Sequence, residues 1–260
     1  MRVLFFGDIE GKPGRKAVSR TLPELCERHR VELVGANIEN AAGGFGITRE
    51  VYDQLLEMGI DFMTSGNHVW DKKETVQNID HFQRMLRPAN FSERAPGKGQ
   101  LILSSKSGPL AVWNLTGRIF MAPAEDPFAL AEKMLKQLPA EVKAVFIDFH
   151  GEATSEKNAF GWFMDGKVSA VIGTHTHIQT ADEKILPQGT AYITDVGMCG
   201  PVNSVIGIDT SQALERFTTG VPHHFEVASG PALASAVVLD IDEMTGRARS
   251  IERIQRIIES

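Results

Sequence analysis

Two histidines one residue apart, His175 and His177, carry the strongest chemical signal in the sequence. They follow the hydrophobic, β-branched residues 170–172 and a glycine, in the string AVIGTHTHIQT. A buried strand that ends in a polar loop places its next side chains at the edge of a sheet, where binding sites are commonly built. A single histidine there is usually a hydrogen-bonded surface residue, whereas two imidazoles with this spacing can bind neighbouring metal ions. The pair therefore predicts part of a metal site, provided that other segments supply more ligands.

Polar residues that suit metal binding follow four other hydrophobic segments. They are Asp8, Glu39 with Asn40, Asn67 with His68, and His150. Each has a simpler explanation by itself, because a carboxylate can cap a helix or face solvent, an asparagine can form a turn, and a histidine can lie hydrogen-bonded at an edge. However, this part of the chain repeats strand, polar tip and helix, and the carboxyl ends of parallel strands meet at one edge of a sheet. We therefore expect these side chains to lie beside the two histidines.

The combined donor set contains carboxylates, amides and imidazoles, which suit borderline metals such as Mn²⁺, Fe²⁺ or Zn²⁺. None of these strand ends carries a thiol, which argues against a structural zinc cluster. The size of the set favours two ions, and Glu39, the longer carboxylate, is the better bridging ligand. Between two ions about 3.5–4 Å apart, a bridging hydroxide forms at neutral pH and can attack a bound phosphate in line, while His68 protonates the departing oxygen. The residues predict metal-dependent phosphoester hydrolysis.

Composition describes an ordinary globular protein. The 260 residues are 42% hydrophobic and 23% charged, and the formal net charge is −6 at pH 7. Such a chain lacks the basic surface that wraps duplex nucleic acid, although bound cations could reverse the sign locally for a small anion. Two cysteines are too few for a disulfide framework, and no segment has the character of a signal peptide or a membrane span. We expect a cytoplasmic protein with no membrane contact.

Hydrophobic periodicity and capping residues predict one α/β domain over residues 1–260. The predicted strands are residues 2–6, 31–37, 61–65, 142–149, 168–172 and 190–194, a hairpin around Ser107-Gly108-Pro109, and an antiparallel addition at 223–227, 232–241 and 247–257. The predicted helices are residues 14–29, one that begins at Thr48, a short one that begins at a capping box of Asp71 and Glu74, one that begins at Asp126-Pro127, and residues 157–163 and 211–217. This order of strands and helices fits a domain of two doubly wound halves that are sandwiched between helices.

Several strings resemble a known group of enzymes. Gly7-Asp8, Gly66-Asn67-His68, the later His150, and His175 with His177 resemble the signature of calcineurin-like metallophosphoesterases. More specifically, the chain resembles the bacterial YmdB-like 2′,3′-cyclic nucleotide phosphodiesterases in the strings GDIEGKPGR, NIENAAGGFGIT, SGNHVWDKKE, RPANF, IDFHGEATSEK and GTHTHIQTADEKILPQGTAYITDVGMCGP. The resemblance runs from about residue 1 to residue 255. It implies a metallophosphoesterase-type sandwich of two mixed β-sheets flanked by helices, with two metals in its site.

The resemblance also implies a division of the ligands between the two metals. One metal is expected to bind Asp8, Glu39, Asn40 and His177, and the other Glu39, Asn67, His150 and His175, with His68 as proton donor. The usual Asp-x-His of the superfamily is Asp8-Ile9-Glu10 in this chain, so an imidazole is missing from the first metal. Glu39 with Asn40 replaces the usual second aspartate motif. These changes make the site richer in oxygen, which favours iron or manganese over zinc.

The leading functional hypothesis is a phosphodiesterase that opens 2′,3′-cyclic nucleotides such as 2′,3′-cAMP. The cyclic substrate follows from the resemblance, whereas phosphoester hydrolysis also follows from the residues. One alternative is a broader metal-dependent phosphatase or nuclease, and another is a regulatory protein that senses nucleotides with little turnover. The expected partner is a small nucleotide, a link to RNA processing rests on the resemblance only, and a homo-oligomer remains open.

Other motifs leave alternatives. Residues 7–14 and 43–46 are rich in glycine, but neither segment matches a phosphate-loop pattern, so loops that need positive φ are the better interpretation. Asp195 follows a predicted strand and could hydrogen-bond a ligand histidine. Phe45 and Trp70 flank site loops and could either stack on a nucleobase or pack in the core.

Overall fold

The protein contains two β-sheets with helices on their outer faces. A computed structural model describes residues 1–259. The strands are β1 (Arg2–Phe6), β2 (Asp8–Ile9), β3 (Leu33–Asn37), β4 (Phe62–Thr64), β5 (Gln100–Ser105), β6 (Gly108–Thr116), β7 (Ala144–His150), β8 (Ala170–Thr174), β9 (Lys184–Ile185), β10 (Ala191–Ile193), β11 (Met198–Pro201), β12 (Ala232–Ile241) and β13 (Ala248–Ile258). The helices are α1 (Gly11–His29), α2 (Arg49–Glu57), α3 (Lys73–Asn78), α4 (Pro127–Gln137), α5 (Thr154–Met164) and α6 (Thr210–Thr219), with a 3₁₀ turn at Ile79–His81.

Both sheets are mixed. The first has the order β2-β11-β12-β1-β3-β4, and β13 pairs with β12. In it β1, β3 and β4 are parallel, whereas β12 runs antiparallel to both β1 and β13. The second has the order β5-β6-β7-β8-β10-β9, with four parallel central strands and an antiparallel strand at each edge. The predicted sandwich of two mixed sheets flanked by helices is confirmed.

Apolar side chains fill three layers of core. Between the sheets, the Phe5 ring centroid lies 4.8 Å from that of Phe146, and Phe62 lies 5.4 Å from Phe146. A second layer packs α1 and α2 on the first sheet, and a third packs α4 and α5 on the second sheet. Because burying one such side chain contributes about 1.5–3 kcal/mol, these layers hold the two sheets in a fixed relation.

Two predicted helix starts are confirmed by their capping bonds. The Thr48 hydroxyl accepts a hydrogen bond from the Val51 amide at 3.3 Å. The Asp126 carboxylate accepts one from the Phe128 amide at 2.9 Å, directly before a proline at the first helical position. Each side chain satisfies an amide that has no partner within the helix.

Two local predictions are wrong. Residues 223–227 are not a strand, because this segment pairs only at Val227, through an isolated bridge to Ile208. Asp71 and Glu74 do not form a capping box. The helix begins at Lys73 without a side-chain cap. The Asp71 carboxylate bonds His68 three residues earlier, and the Glu74 carboxylate accepts from the distant Arg49 amide.

The parallel strands of each sheet end at a common edge. Of the polar residues predicted from the first sheet, Asp8 begins β2 directly after β1, and the others lie in the loops after β3 and β4. The end of β7 and the loop after β8 carry those from the second sheet. Nowhere in residues 1–259 is a helix both long and apolar enough to cross a membrane.

Candidate metal centre

Four heteroatoms from four separate segments meet at one buried point. His150 Nε2 lies 3.0 Å from Glu39 Oε1, 3.1 Å from Asn67 Oδ1 and 3.1 Å from His175 Nδ1. A single imidazole N–H can donate to only one of these three atoms, so the other two lie close to His150 Nε2 without a hydrogen bond from it. We call Glu39, Asn67, His150 and His175 the inner cluster. Its carboxylate, amide and imidazole atoms have the chemistry of a cation site.

A glycine lets these side chains approach the backbone of the β4 loop. A Cβ atom at Gly66 would overlap both the His150 imidazole and the Glu39 carboxylate. Only glycine therefore fits at this position beside the inner cluster.

Three further predicted ligands lie next to the inner cluster. We call Asp8, Asn40 and His177 the outer cluster. His177 Nε2 lies 3.0 Å from Asn40 Nδ2, and Asp8 Oδ2 accepts a hydrogen bond from the His175 amide at 3.2 Å. Asp8 Oδ1 and Asn40 Oδ1 are both buried and have no hydrogen-bond partner among the described residues. Buried oxygens are rarely left without a partner, and a cation would supply one for each of these two.

His68 lies at the rim of the same site. Its amide donates to Glu39 Oε2 at 3.0 Å, and its Nδ1 donates to Asp71 Oδ2 at 2.7 Å. The side chain is about one-third exposed and lines the cavity described below. With Nδ1 bonded to the carboxylate, Nε2 is the nitrogen available to a ligand in the cavity.

Charges within the inner cluster oppose one another. Burial alone would raise the pKa of Glu39, but the nearby His150 imidazole lowers it to about 2. Burial alone would lower the pKa of His150, but the Glu39 carboxylate raises it to about 9. Burial and the neighbouring His150 lower the pKa of His175 to about 3. His150 therefore holds a proton where His175 does not, and a metal ion would replace that proton.

The carboxyl groups of Asp8, in the outer cluster, and of its neighbour Glu10 have raised pKa values, in contrast to Glu39. Burial raises the pKa of Asp8, and burial together with the charge of Asp8 raises the pKa of Glu10 to about 9. A nearby cation would favour the ionised form of each group, because its positive charge attracts the carboxylate and offsets the loss of hydration on burial.

A buried network behind the inner cluster, which sequence reasoning missed, orients His150. Thr174 Oγ1 donates to Asp148 Oδ1 at 2.6 Å and so accepts from His150 Nδ1 at 2.9 Å. Asn37 Nδ2 donates to the other Asp148 oxygen at 3.0 Å. Because Nδ1 keeps its proton in this arrangement, Nε2 is the nitrogen that faces the inner cluster and would give up its proton to a cation. A charged residue within the apolar string VFIDF was the signal that could have revealed Asp148.

The turn that carries the two histidines is held by a buried ion pair. His175 and His177 both have positive φ, 101° and 66°. Asp195 Oδ2 accepts from the Thr176 amide at 3.0 Å and from Lys157 Nζ at 2.7 Å. The prediction that Asp195 bonds a ligand histidine is wrong, because its carboxylate binds the backbone between the two histidines instead.

Glu152 is a further neighbour that sequence reasoning missed. Its Oε2 lies 3.1 Å from His175 Nε2, and its side chain is half exposed. An Nε2–H bonded to this carboxylate leaves the lone pair on His175 Nδ1, which is the nitrogen in the inner cluster.

A cavity of about 270 Å³ opens onto both clusters. Its polar lining comes from residues of both clusters together with His68, Glu10, Glu152 and Thr176, and its apolar lining from Phe45, Ile206 and Ile208 beside Gly44. Gly43, Gly44 and Gly46 all have positive φ, which confirms that this glycine run shapes a loop. Trp70, in contrast, packs against the core.

Comparisons with known proteins identify the family of the chain. A family model described as YmdB-like protein matches residues 4–254. A Bacillus subtilis protein named 2′,3′-cyclic-nucleotide 2′-phosphodiesterase is 49% identical over 254 residues, which cover 98% of this chain and 96% of that protein. The chain belongs to the YmdB-like family.

Two solved structures share the whole fold. A hypothetical protein from Thermus thermophilus is 42% identical, with a TM-score of 0.93 and complete coverage of both chains. A structure described as a novel phosphatase from Mycoplasma pneumoniae is 33% identical, with a TM-score of 0.92, and the match covers all of this chain and 94% of that one.

Proposed function

We propose that this YmdB-like chain is a metal-dependent phosphodiesterase that hydrolyses 2′,3′-cyclic nucleotides. The observation that carries the proposal is the convergence of the inner cluster on a cavity of nucleotide-like size, with the outer cluster beside it. The name of the Bacillus subtilis relative supports the cyclic substrate and cleavage of its 2′ ester. A single domain is proposed as well, because the site takes residues from both sheets.

The proposed cofactor is a pair of metal ions. The first would be held by Asp8, Glu39, Asn40 and His177, and the second by Glu39, Asn67, His150 and His175. The unpartnered oxygens of Asp8 and Asn40 and the close approach of the inner atoms fit this division. The oxygen-rich donor set favours iron or manganese over zinc. When bound, such a pair supplies a hydroxide nucleophile at neutral pH and neutralises the phosphate charge that would repel it.

His68 is proposed as the proton donor. Hydrolysis forms one P–O bond to the incoming oxygen and breaks the bond between phosphorus and ribose O2′, so the departing oxygen needs a proton. Asp71 holds Nδ1 of His68 and leaves Nε2 to deliver that proton. The product is a nucleoside 3′-phosphate. Because RNA cleavage through a 2′-hydroxyl generates 2′,3′-cyclic phosphates, the substrate class itself supplies the proposed link to RNA.

The proposal is tested with purified protein reconstituted with Mn²⁺ or Fe²⁺ and supplied with 2′,3′-cAMP, with products separated by chromatography. We expect adenosine 3′-phosphate, abolished by a chelator. His68→Asn should lower kcat by about 10²-fold or more while the bound metal is unchanged. His81→Asn, at an exposed histidine of the 3₁₀ turn, is the matched control and should have no effect.

A substrate panel separates the alternatives. Cyclic nucleotides hydrolysed no better than p-nitrophenyl phosphate would indicate a broader phosphatase. Nucleotide binding without product in metal-loaded protein would indicate a sensor. Either result would contradict the proposal.

A further inference from the structure

The lining of the cavity contains two chemically different sets of residues. Glu39, His175 and His177 belong to the first set, where the proposed metal ions would bind phosphate. Phe45 and two isoleucines, Ile206 and Ile208, form the second set, and their side chains have no hydrogen-bonding group. A ligand that contacts both sets needs an anionic part and an apolar face within a cavity of about 270 Å³.

Ile206 occupies its place at a conformational cost. Its φ is 49°, in the left-handed region that β-branched residues rarely adopt. The side chain is nevertheless 44% exposed, so core packing does not explain its position. Strained residues of this kind concentrate at ligand-binding sites, where the surrounding structure maintains them.

The surrounding turn holds Ile206 in this conformation. The Val205 and Ile208 backbones exchange hydrogen bonds of 2.9 and 3.0 Å across the turn, and the Gly207 amide donates to Ser204 Oγ at 3.0 Å. The Ile206 carbonyl accepts from His177 Nδ1 at 2.7 Å. The same residue thus fixes the tautomer of His177 through its carbonyl and presents its side chain to the cavity.

Phe45 faces the cavity from a second shaped loop. It lies between Gly44 and Gly46, whose φ values are 96° and 70°. Its ring centroid lies 5.2 Å from that of His68, with an angle of 64° between the planes. The aromatic ring is therefore placed next to the proposed proton donor, where the departing ribose oxygen would lie.

We propose that Phe45, Ile206 and Ile208 form a base-binding wall that packs against the nucleobase of the substrate. The inference rests on the proposed function and adds the feature that distinguishes a nucleotide from other cyclic phosphates. Because the three side chains cannot read hydrogen-bond patterns, the wall selects by contact area. Purine substrates should therefore be favoured over pyrimidine substrates by a few-fold.

The test compares adenosine 2′,3′-cyclic phosphate with ribose 2′,3′-cyclic phosphate, which has no base. The measured quantity is the ratio of their kcat/KM values. Ile206→Gly, which suits the left-handed backbone and removes the side chain, should lower this ratio by about tenfold. Phe45→Leu provides a second variant and should lower the ratio in the same direction. Leu214→Ala removes an exposed apolar side chain of α6 that does not line the cavity, and should leave the ratio unchanged.

A binding measurement supplies a readout that does not depend on turnover. Fluorescence of 2-aminopurine riboside 3′-phosphate should be quenched by the metal-loaded protein, and Ile206→Gly should weaken this binding. If the kcat/KM values for both cyclic substrates fall equally in both variants, so that their ratio is unchanged, the base-binding wall does not exist. Absence of turnover with either substrate in the unmodified protein would instead contradict the proposed function.

Discussion

The inner and outer clusters differ in what holds their side chains. His150 ends a central strand, and its imidazole is oriented by Thr174 and Asp148 in a fully buried network. His177 lies in a loop at positive φ, and its imidazole is oriented by the carbonyl of the strained, exposed Ile206. His150 of the inner cluster is thus fixed by a sheet, whereas His177 of the outer cluster depends on a surface turn. Two metal sites built in these ways should differ in affinity, with the inner site the tighter.

The largest effect is expected from the inner cluster. His150→Ala removes the imidazole on which the other three atoms converge. The ion bound by the inner cluster, the inner ion, should therefore be lost, and the ion bound by the outer cluster, the outer ion, should no longer have a second ion beside it. We expect kcat/KM to fall well beyond the 10–100-fold that supporting residues typically cost, to about 10³-fold or more. Metal content by elemental analysis and turnover of 2′,3′-cAMP check this, with His81→Ala as control. Retained turnover would remove the inner cluster from the mechanism.

The outer cluster should respond differently. His177→Ala should leave the inner ion bound, because the four inner atoms and their buried network are untouched. Turnover should fall by about 100-fold and recover in part when the free metal concentration is raised, since a weakened site refills by mass action. Metal titration followed by calorimetry measures the two sites separately. Loss of both ions at once would show that the clusters are not distinct.

A smaller effect is expected from the network behind His150. Thr174→Val keeps the shape of the side chain but removes the hydroxyl that accepts from His150 Nδ1. Affinity for the inner ion should fall by about tenfold, within the range for partners that orient a metal ligand. Thr21→Val, at a buried threonine that bonds only the backbone of its own helix, should leave the affinity unchanged. If both variants behave alike, the network does not orient His150.

The pH dependence should separate metal-free from metal-loaded protein. In the metal-free protein the pKa of His150 is raised to about 9, above its ordinary value. The bound proton therefore stabilises this form fully below the unfolded pKa, about 6.5, and the contribution is lost as pH rises through about 9. A metal ion must displace that proton, so affinity for the inner ion should rise by about tenfold per pH unit between pH 7 and 9. Titrations at pH 7, 8 and 9 check this, and an affinity independent of pH would contradict it.

Several features that depend on local sequence were predicted correctly. Polar residues directly after buried strands predicted where the ends of the parallel strands meet, because strand periodicity and parallel pairing are local and general properties. Thr48 and Asp126 predicted helix starts for the same kind of reason, since a cap bonds amides two or three residues away.

Features that depend on distant segments were missed. Asp148 lies within an apolar strand, and its partners Asn37 and Thr174 come from two other strands. Asp195 was assigned an imidazole contact, but its carboxylate binds Lys157 and the Thr176 amide. Glu74 was assigned to a local cap, but its carboxylate accepts from the Arg49 amide. The strain at Ile206 depends on a turn whose geometry no short pattern encodes.

The most direct test of the central claim is a crystal structure of manganese-loaded protein with anomalous scattering recorded for the metal. We expect two peaks that share Glu39, one bonded to Asn67, His150 and His175 and the other to Asp8, Asn40 and His177. A single peak away from the inner cluster, or no peak between these side chains, would contradict it.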